Sequence, residues 1–307
     1  MKRNNGVKFG LILSLVIGMT GYSYGFWFWS DSQTPKKGPL TILHTNDTHA
    51  QIQGCGCRHA GGGLIKRSFK IKTVRDTATA LLVLDAGNML FGDGTADQSK
   101  GRFTVDAINL MKYDAVNLTP HDFRYGIDSL NVLQKLSTAS FLSATIVDKK
   151  TRKAIFPAYK IFEKNGNKIA VIGVCDSSTM GFMSHLRPQF DILDVRSVLP
   201  ELVKKLRREV NFIILLSYSG WDRDEKLVHE IPGIDLILGG ITGKREYKVI
   251  NQTTLGQAFR DGKYLGHVSV FFSGDKKVAP KIEGTIVSME NADLDDPAMR
   301  ALIEKYK

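Results

Sequence analysis

The sequence predicts an α/β fold that forms one domain over residues 40–307. Short apolar runs with the length of buried strands recur along the chain, and segments with helical spacing of apolar residues separate several of them. This alternation is typical of a sheet with helices on its faces. Predicted strands are 40–43, 81–84, 115–118, 141–144, 169–174, 212–216 and 234–238, and predicted helices are 64–74, 103–111, 127–136 and 198–210.

The pattern changes after residue 245. Segments 247–250, 268–272 and 282–287 alternate or turn with no helix between them, which predicts antiparallel strands. A short helix over 297–306 closes the domain. Two interior residues have structural roles: His44 is expected to be a hydrogen-bonded core histidine, and Cys175 a buried thiol at the end of an apolar run.

The N-terminus predicts export. Residues 1–25 resemble a signal peptide, with Lys2, Arg3 and Lys8 before a short apolar run and small residues near position 25. Residues 26–39 are expected to be a linker. The alternative is an uncleaved anchor, which the aromatic run 26–29 would help to hold at a membrane interface. The protein is therefore expected to be periplasmic or secreted, with a membrane contact only if the segment is not cleaved.

The composition is ordinary for a globular protein, with 43% hydrophobic residues in 307. The net charge of +11 favours anionic partners, such as phosphate-containing small molecules. The basic residues are scattered, however, and carry no specific nucleic-acid signal. A solvated basic surface explains most of them, and a protein partner is also compatible with the composition.

The strongest chemical signal follows the first predicted strand, where Asp47 and His49 lie two residues apart. A carboxylate and an imidazole at the end of a strand are a common way to hold a divalent metal. Further segments follow in a specific order: 62–67, 84–88 with Asn88, 121–126 with His121, 166–173, 213–217, 235–240 and 262–266.

In this order the segments resemble the secreted 5'-nucleotidase branch of the calcineurin-like metallophosphoesterases, over residues 40–307. The resemblance implies a four-layer α/β/β/α sandwich and two adjacent metals that activate water for attack on a phosphate ester. The family's secreted nucleotidases also carry a C-terminal substrate domain. The sequence reaches the point where that domain would begin, so we expect no such domain here.

Residue by residue, the family's metal site is depleted. Asp47, His49 and His121 match the Asp-x-His pair and the catalytic histidine. Asn88 replaces the bridging aspartate, and Tyr218 replaces a histidine. The remaining ligand positions carry side chains without donors, namely Pro120, Ile241 and Gly243.

Electrostatics argue against two metals here, because adjacent divalent cations repel unless an anion bridges them. One divalent ion held by Asp47, His49 and the carbonyl of Asn88 would be weakly bound. His121 is then the candidate catalytic residue. Tyr218 is a possible ligand contact, although filling of the emptied ligand position explains it as well. Asp85 matches a position that supports the loop.

The same loop contains Cys55 and Cys57. Three interpretations remain open: a strained, redox-active disulfide, replacement metal ligands beside Asp47 and His49, or a structural clip. Three hypotheses of function follow. The chain is a binding or accessory module with lost hydrolase activity (a pseudoenzyme), a phosphoester hydrolase with a mononuclear metal site, or a thiol-redox protein.

Overall fold

A computed structural model describes residues 38–52, 62–186, 190–275, 278–289 and 295–307. In these ranges no helix is both long and apolar enough to cross a membrane. The helices are α1 (Leu64–Thr77), α2 (Gly94–Gln98), α3 (Arg102–Met111), α4 (Gly126–Leu136), α5 (Val195–Leu206), α6 (Trp221–Glu230) and α7 (Pro297–Lys305), with 3-10 helices at Pro120–Phe123 and Ser177–Leu186.

The strands form two six-stranded sheets and one small pair. They are β1 (Leu40–Thr45), β2 (Ala80–Asp85), β3 (Ala115–Asn117), β4 (Ser140–Leu142), β5 (Ile146–Asp148), β6 (Tyr159–Lys164), β7 (Asn167–Cys175), β8 (Phe190–Ile192), β9 (Phe212–Tyr218), β10 (Leu236–Gly239), β11 (Arg245–Ile250), β12 (Thr253–Ala258), β13 (Tyr264–Phe271) and β14 (Lys281–Ser288).

The first sheet has the order β14-β13-β1-β2-β3-β4 and the second β11-β12-β10-β9-β7-β6. In the first sheet, β1 to β4 are parallel, and β13 is antiparallel to β1 and β14. In the second, β7, β9, β10 and β12 are parallel. Loops at the carboxyl ends of parallel strands are the usual place for chemistry in such sheets.

Three apolar clusters define four layers. Ile42 of the first sheet and Ile214 of the second belong to one cluster between the sheets. Leu43 faces the opposite way and packs with Ile71 and Phe103 of the outer helices α1 and α3. On the other side, Ile213 packs with residues of α5 and α6. The predicted single-domain α/β/β/α sandwich is therefore confirmed.

Most predicted elements are present, but several were missed. Strands β5, β6, β8 and β12 and helices α2 and α6 were not predicted. Helix α6, with the sequence WDRDEKLVHE, has a low apolar content. Strand β12 contains a glycine and polar residues, although it is buried throughout. Burial by neighbouring strands, rather than local apolar content, determines these elements.

His44 confirms one expectation only in part. Its ring is buried between the sheets, and Nε2 lies 2.6 Å from the Tyr247 hydroxyl, but Nδ1 has no hydrogen-bond partner. The expectation of a fully hydrogen-bonded ring is therefore wrong for Nδ1. Burial lowers the pKa of His44 to about 3. A Cβ atom at Gly266 would lie 2.0 Å from Nε2. The imidazole therefore fits against β13 only because residue 266 has no side chain. Cys175 is buried, as expected.

Candidate functional site

Strand ends from both sheets meet at one edge of the sandwich. Asp47 follows β1 and Asn88 follows β2 in the first sheet. Tyr218 ends β9 and Ile241 follows β10 in the second. Direct hydrogen bonds join these four residues, so the structure brings together positions up to 194 residues apart in the chain.

Asp47 lies at the centre of this group and accepts four hydrogen bonds. Its Oδ1 accepts from the Tyr218 hydroxyl at 2.8 Å and from the Asn88 amide at 3.4 Å. Its Oδ2 accepts from the Asn46 amide at 2.9 Å and from the backbone N–H of Ile241 at 2.8 Å. The Asn88 amide also donates to the Tyr218 hydroxyl at 3.0 Å. We call these five residues the Asp47 cluster.

Four of the five residues are buried, since Asn46, Asp47, Asn88 and Tyr218 are only 2%, 4%, 6% and 5% exposed. Ile241 contributes its backbone N–H, and its side chain is exposed. Burial, and then the charge of Asp47, raise the pKa of Tyr218, so its hydroxyl keeps its proton and donates it to the carboxylate. Tyr218, which the family resemblance aligns with a histidine, therefore donates a hydrogen bond to Asp47.

The metal centre that the resemblance implies does not fit these residues. An ionised carboxylate has about four lone-pair sites, and four protein donors already use them on Asp47. Asn88 and Tyr218 direct donors, rather than lone pairs, at the carboxylate. Among the residues that the structure describes, no three His, Cys, Asp or Glu side chains group as metal ligands.

The backbone around the cluster is strained. Asp47, His49, Asn88 and Ile241 have φ values of 46°, 51°, 62° and 75°, in the left-handed region. Such a conformation costs about 1–2 kcal/mol for a residue with a Cβ atom. It persists where surrounding contacts hold it, commonly at functional sites. Here Asp47 N–H donates to the Gly87 carbonyl at 2.9 Å and His49 N–H to the Asn88 carbonyl at 3.1 Å.

Asp85 anchors the loop that carries Asn88. It accepts hydrogen bonds from the Thr45 hydroxyl at 2.6 Å and from the Gly87 N–H at 2.8 Å. Burial raises the pKa of Asp85 to about 8, against the effect of these two donors. The side chain supports the loop and makes no hydrogen bond to the Asp47 cluster, which agrees with its expected role.

The two histidines lie at the exposed side of the cluster. His49 Nδ1 is 3.0 Å from Asp261 Oδ1, and the His49 side chain is 37% exposed. His121 is half-buried, and burial, followed by the nearby charge of Arg124, lowers its pKa. A neutral imidazole at His121 can accept or donate a hydrogen bond. No hydrogen bond joins either histidine side chain to the Asp47 carboxylate, although the charges of His49 and Asp47 both act on His121.

Two contacts of the site escaped sequence analysis. Asn46 bonds to Asp47 and also accepts from the backbone N–H of Ala258 at 3.0 Å. Asp261 bonds to His49, and its N–H donates to the Asp47 carbonyl at 2.8 Å. Asn46 is next to Asp47, and Asp261 directly precedes the motif segment 262–266. Their positions beside the motifs were the signal that could have identified both residues. Cys55 and Cys57 lie outside the described residues.

Comparison with known proteins supports the resemblance, although no family model matches the chain. Over 302 residues the chain is 31% identical to a snake venom 5'-nucleotidase from Naja atra, covering 87% of this chain and 56% of that relative. A 5'-nucleotidase precursor from Thermus thermophilus has 25% identity and a TM-score of 0.75, covering 87% of this chain and 58% of that one. The chain is a homologue of the 5'-nucleotidases.

The fold agrees with a second solved structure. The calcineurin-like phosphoesterase YfkN from Bacillus subtilis superposes with a TM-score of 0.75 at 22% identity, covering 88% of this chain and 96% of that one. This 5'-nucleotidase homologue therefore has the calcineurin-like fold. It spans about half the length of the curated relatives that it matches, 56% for the Naja atra protein.

Proposed function

We propose that this 5'-nucleotidase homologue does not use the family's two-metal hydrolysis and acts as a binding or accessory module. One observation supports the proposal most directly: the carboxylate of Asp47 is buried and accepts hydrogen bonds from four protein donors. A metal would have to replace donors that the fold supplies from both sheets. Leaving those donors unpaired in a buried site costs about 1–3 kcal/mol each.

The mononuclear alternative is weaker on the same ground, because Asp47 was its only carboxylate ligand. His49 and His121 remain partly accessible at the edge of the cluster. Two imidazoles beside a basic protein surface suit an anionic or phosphate-containing ligand better than they suit hydrolysis. Cys55 and Cys57 lie outside the described residues, so no contact supports a redox function.

An activity assay tests the proposal. Purified protein is expected to hydrolyse neither AMP nor p-nitrophenyl phosphate above background, with or without Mg²⁺, Mn²⁺ or Zn²⁺. Elemental analysis should find no stoichiometric metal. Turnover that EDTA abolishes, and that the isosteric Asp47→Asn variant also lacks, would show that the chain is an active metallohydrolase.

A restored variant sharpens this test. Replacing Asn88 by Asp, Tyr218 by His, and Pro120, Ile241 and Gly243 by the family's Asn, His and His returns the ligand types that the resemblance implies. We expect this variant to bind divalent metal in calorimetric titrations where the wild type does not. Equal metal binding by both proteins would contradict the proposal.

Export is part of the same proposal and needs its own experiment. Residues 1–25 are proposed to be a cleaved signal peptide and residues 26–39 a linker, and a relative found in snake venom is consistent with secretion. N-terminal sequencing of the protein from cell fractions should give a start near residue 26 in the periplasm or medium. A full-length protein in the membrane fraction would support the anchor instead.

A further inference from the structure

The loops beside the Asp47 cluster form a basic surface with few counter-charges. Lys244 and Arg245 lie at the start of β11, and Arg260 and Lys263 lie in the loop between β12 and β13. The Phe259 N–H donates to the Lys244 carbonyl at 2.8 Å, so the two loops are adjacent. We call Lys244, Arg245, Arg260 and Lys263 the basic rim.

The cations of the basic rim lack close acidic partners. Within the described ranges, Lys244, Arg245 and Lys263 have no carboxylate within 4.0 Å, and Arg260 reaches only Asp261, at 3.8 Å. Asp261 is shared with His49. Several arginines elsewhere on the described surface are paired with acids: Arg102, Arg124, Arg152, Arg196 and Arg300 all have such a partner.

Two aromatic rings contact three of the four rim cations. The Arg245 guanidinium lies 4.7 Å from the centre of the Tyr264 ring, and its Nη1 donates to the Tyr264 hydroxyl at 2.6 Å. Arg260 and Lys263 both lie 6.0 Å from the centre of Phe259. An arginine fixed on an aromatic face loses little side-chain entropy when it binds a carboxylate with its remaining donors.

The backbone of this loop is also strained. Phe259 and Asp261 have φ values of 64° and 60°. A bulky residue in the left-handed region is uncommon and costs about 1–2 kcal/mol. The Phe259 ring lies 5.6 Å from the Tyr264 ring with an interplanar angle of 87°.

From this arrangement we infer that the basic rim is a docking surface for an acidic segment of a partner protein. Lys244, Arg245 and Arg260 are exposed and Lys263 is half-buried, and such a spread of cations over loop ends suits an extended chain of carboxylates. The Arg260 side chain is 62% exposed. The rings pack against each other and against cations, so they offer no open platform for stacking bases, as single-stranded nucleic acid binding requires. The inference does not depend on whether the chain hydrolyses phosphate esters.

A binding assay with a matched control tests this surface. Labelled poly-L-glutamate is titrated with the wild type, with a rim variant (Arg245→Ala, Arg260→Ala, Lys263→Ala) and with a control (Arg152→Ala, Arg196→Ala, Lys204→Ala). The control also loses two arginines and one lysine, but from exposed positions outside the basic rim. Each of these three residues is paired with an acidic side chain. We expect the rim variant to raise Kd at least about tenfold and the control less than about twofold.

Three results would overturn the inference: no binding of poly-L-glutamate by the wild type, equal weakening in rim variant and control, or tighter binding of oligothymidylate through the same residues. The Tyr264→Phe variant tests whether the position of Arg245, and not only its charge, affects the Kd. It keeps every cation but removes the hydroxyl that Arg245 contacts, so we expect a smaller increase in Kd, of about twofold to fivefold. Thermal unfolding of each variant confirms that the fold is retained.

Discussion

The two sheets contribute opposite kinds of residue to the same edge of the sandwich. The first sheet keeps the chemically active types, Asp47, His49 and His121, at its strand ends. The second sheet places Tyr218 and the backbone N–H of Ile241 there, and both donate to Asp47. One sheet thus retains an acceptor, while the other has become a set of donors that satisfies it. Donors from the second sheet can therefore stabilise the carboxylate that the first sheet supplies.

The largest effect is expected when the acceptor, the Asp47 carboxylate, is removed. In the Asp47→Ala variant the donors from Asn46, Asn88, Tyr218 and Ile241 lose their partner in a buried site. We expect the free energy of unfolding to fall by about 3–5 kcal/mol, because each stranded donor costs about 1–3 kcal/mol unless it finds another partner. Urea denaturation measures the loss. An unchanged or raised stability would mean that Asp47 is a strained metal ligand, and the proposed role of the cluster would be wrong.

The second test uses a buried acid that lacks such donors. Asp224 of α6 accepts one hydrogen bond, from Ser217, and its Oδ2 has no partner. Burial raises its pKa from 3.8 to about 8. The folded state holds a proton that the unfolded chain releases above about pH 4, so this contribution to stability is present below pH 4 and is lost as pH rises to about 8.

We therefore expect the free energy of unfolding to fall between pH 4 and 8, by up to the order of 4 kcal/mol from Asp224. Raised pKa values of about 8 at Asp85 and about 6 at Asp122 act in the same direction. Denaturation of the wild type and of Asp224→Asn over this pH range measures the effect. The variant should show a flatter dependence, and identical curves for both proteins would contradict the assignment.

A smaller effect is expected from the hydroxyl of Tyr218. The Tyr218→Phe variant keeps the ring in its buried position and removes one donor to Asp47. We expect a loss of about 1–2 kcal/mol of unfolding free energy, since the bond is made to a charged acceptor. Tyr125→Phe is the matched control, because its hydroxyl bonds a backbone carbonyl at the exposed surface. Equal losses of unfolding free energy in the two variants would show that the hydrogen bond from Tyr218 to Asp47 stabilises the fold no more than an exposed one.

The smallest effect is expected from Asp261, which lies beside the Asp47 cluster. Asp261→Asn removes the charge that faces His49, in a pair whose side chains are 37% and 25% exposed. Solvent-exposed pairs contribute about 0–1 kcal/mol, so we expect a loss within this range. Thermal unfolding beside the control Asp191→Asn, which breaks the exposed pair with Arg152, measures it. A loss above about 2 kcal/mol would place Asp261 within the cooperative Asp47 cluster.

Much of the fold was accessible from the amino-acid sequence because its strands are buried on both faces. Runs such as 212–216 read as continuous apolar segments, which is the signature of a parallel strand covered on both sides. Helix α6 and strand β12 were not recognised, because few of their residues are apolar and neighbouring elements stabilise them. The double sheet itself came from the family resemblance rather than from periodicity.

By itself, the sequence determined that Asp47 and His49 remain and that Asn88, Tyr218 and Ile241 stand where family ligands are expected, because a residue type can be read without coordinates. Only the tertiary structure decided what the replacements do. Tyr218 and the N–H of Ile241 reach Asp47 from 171 and 194 residues away. Hydrogen bonds require donors and acceptors at about 3 Å with suitable angles, and the packing of two sheets against each other sets those distances.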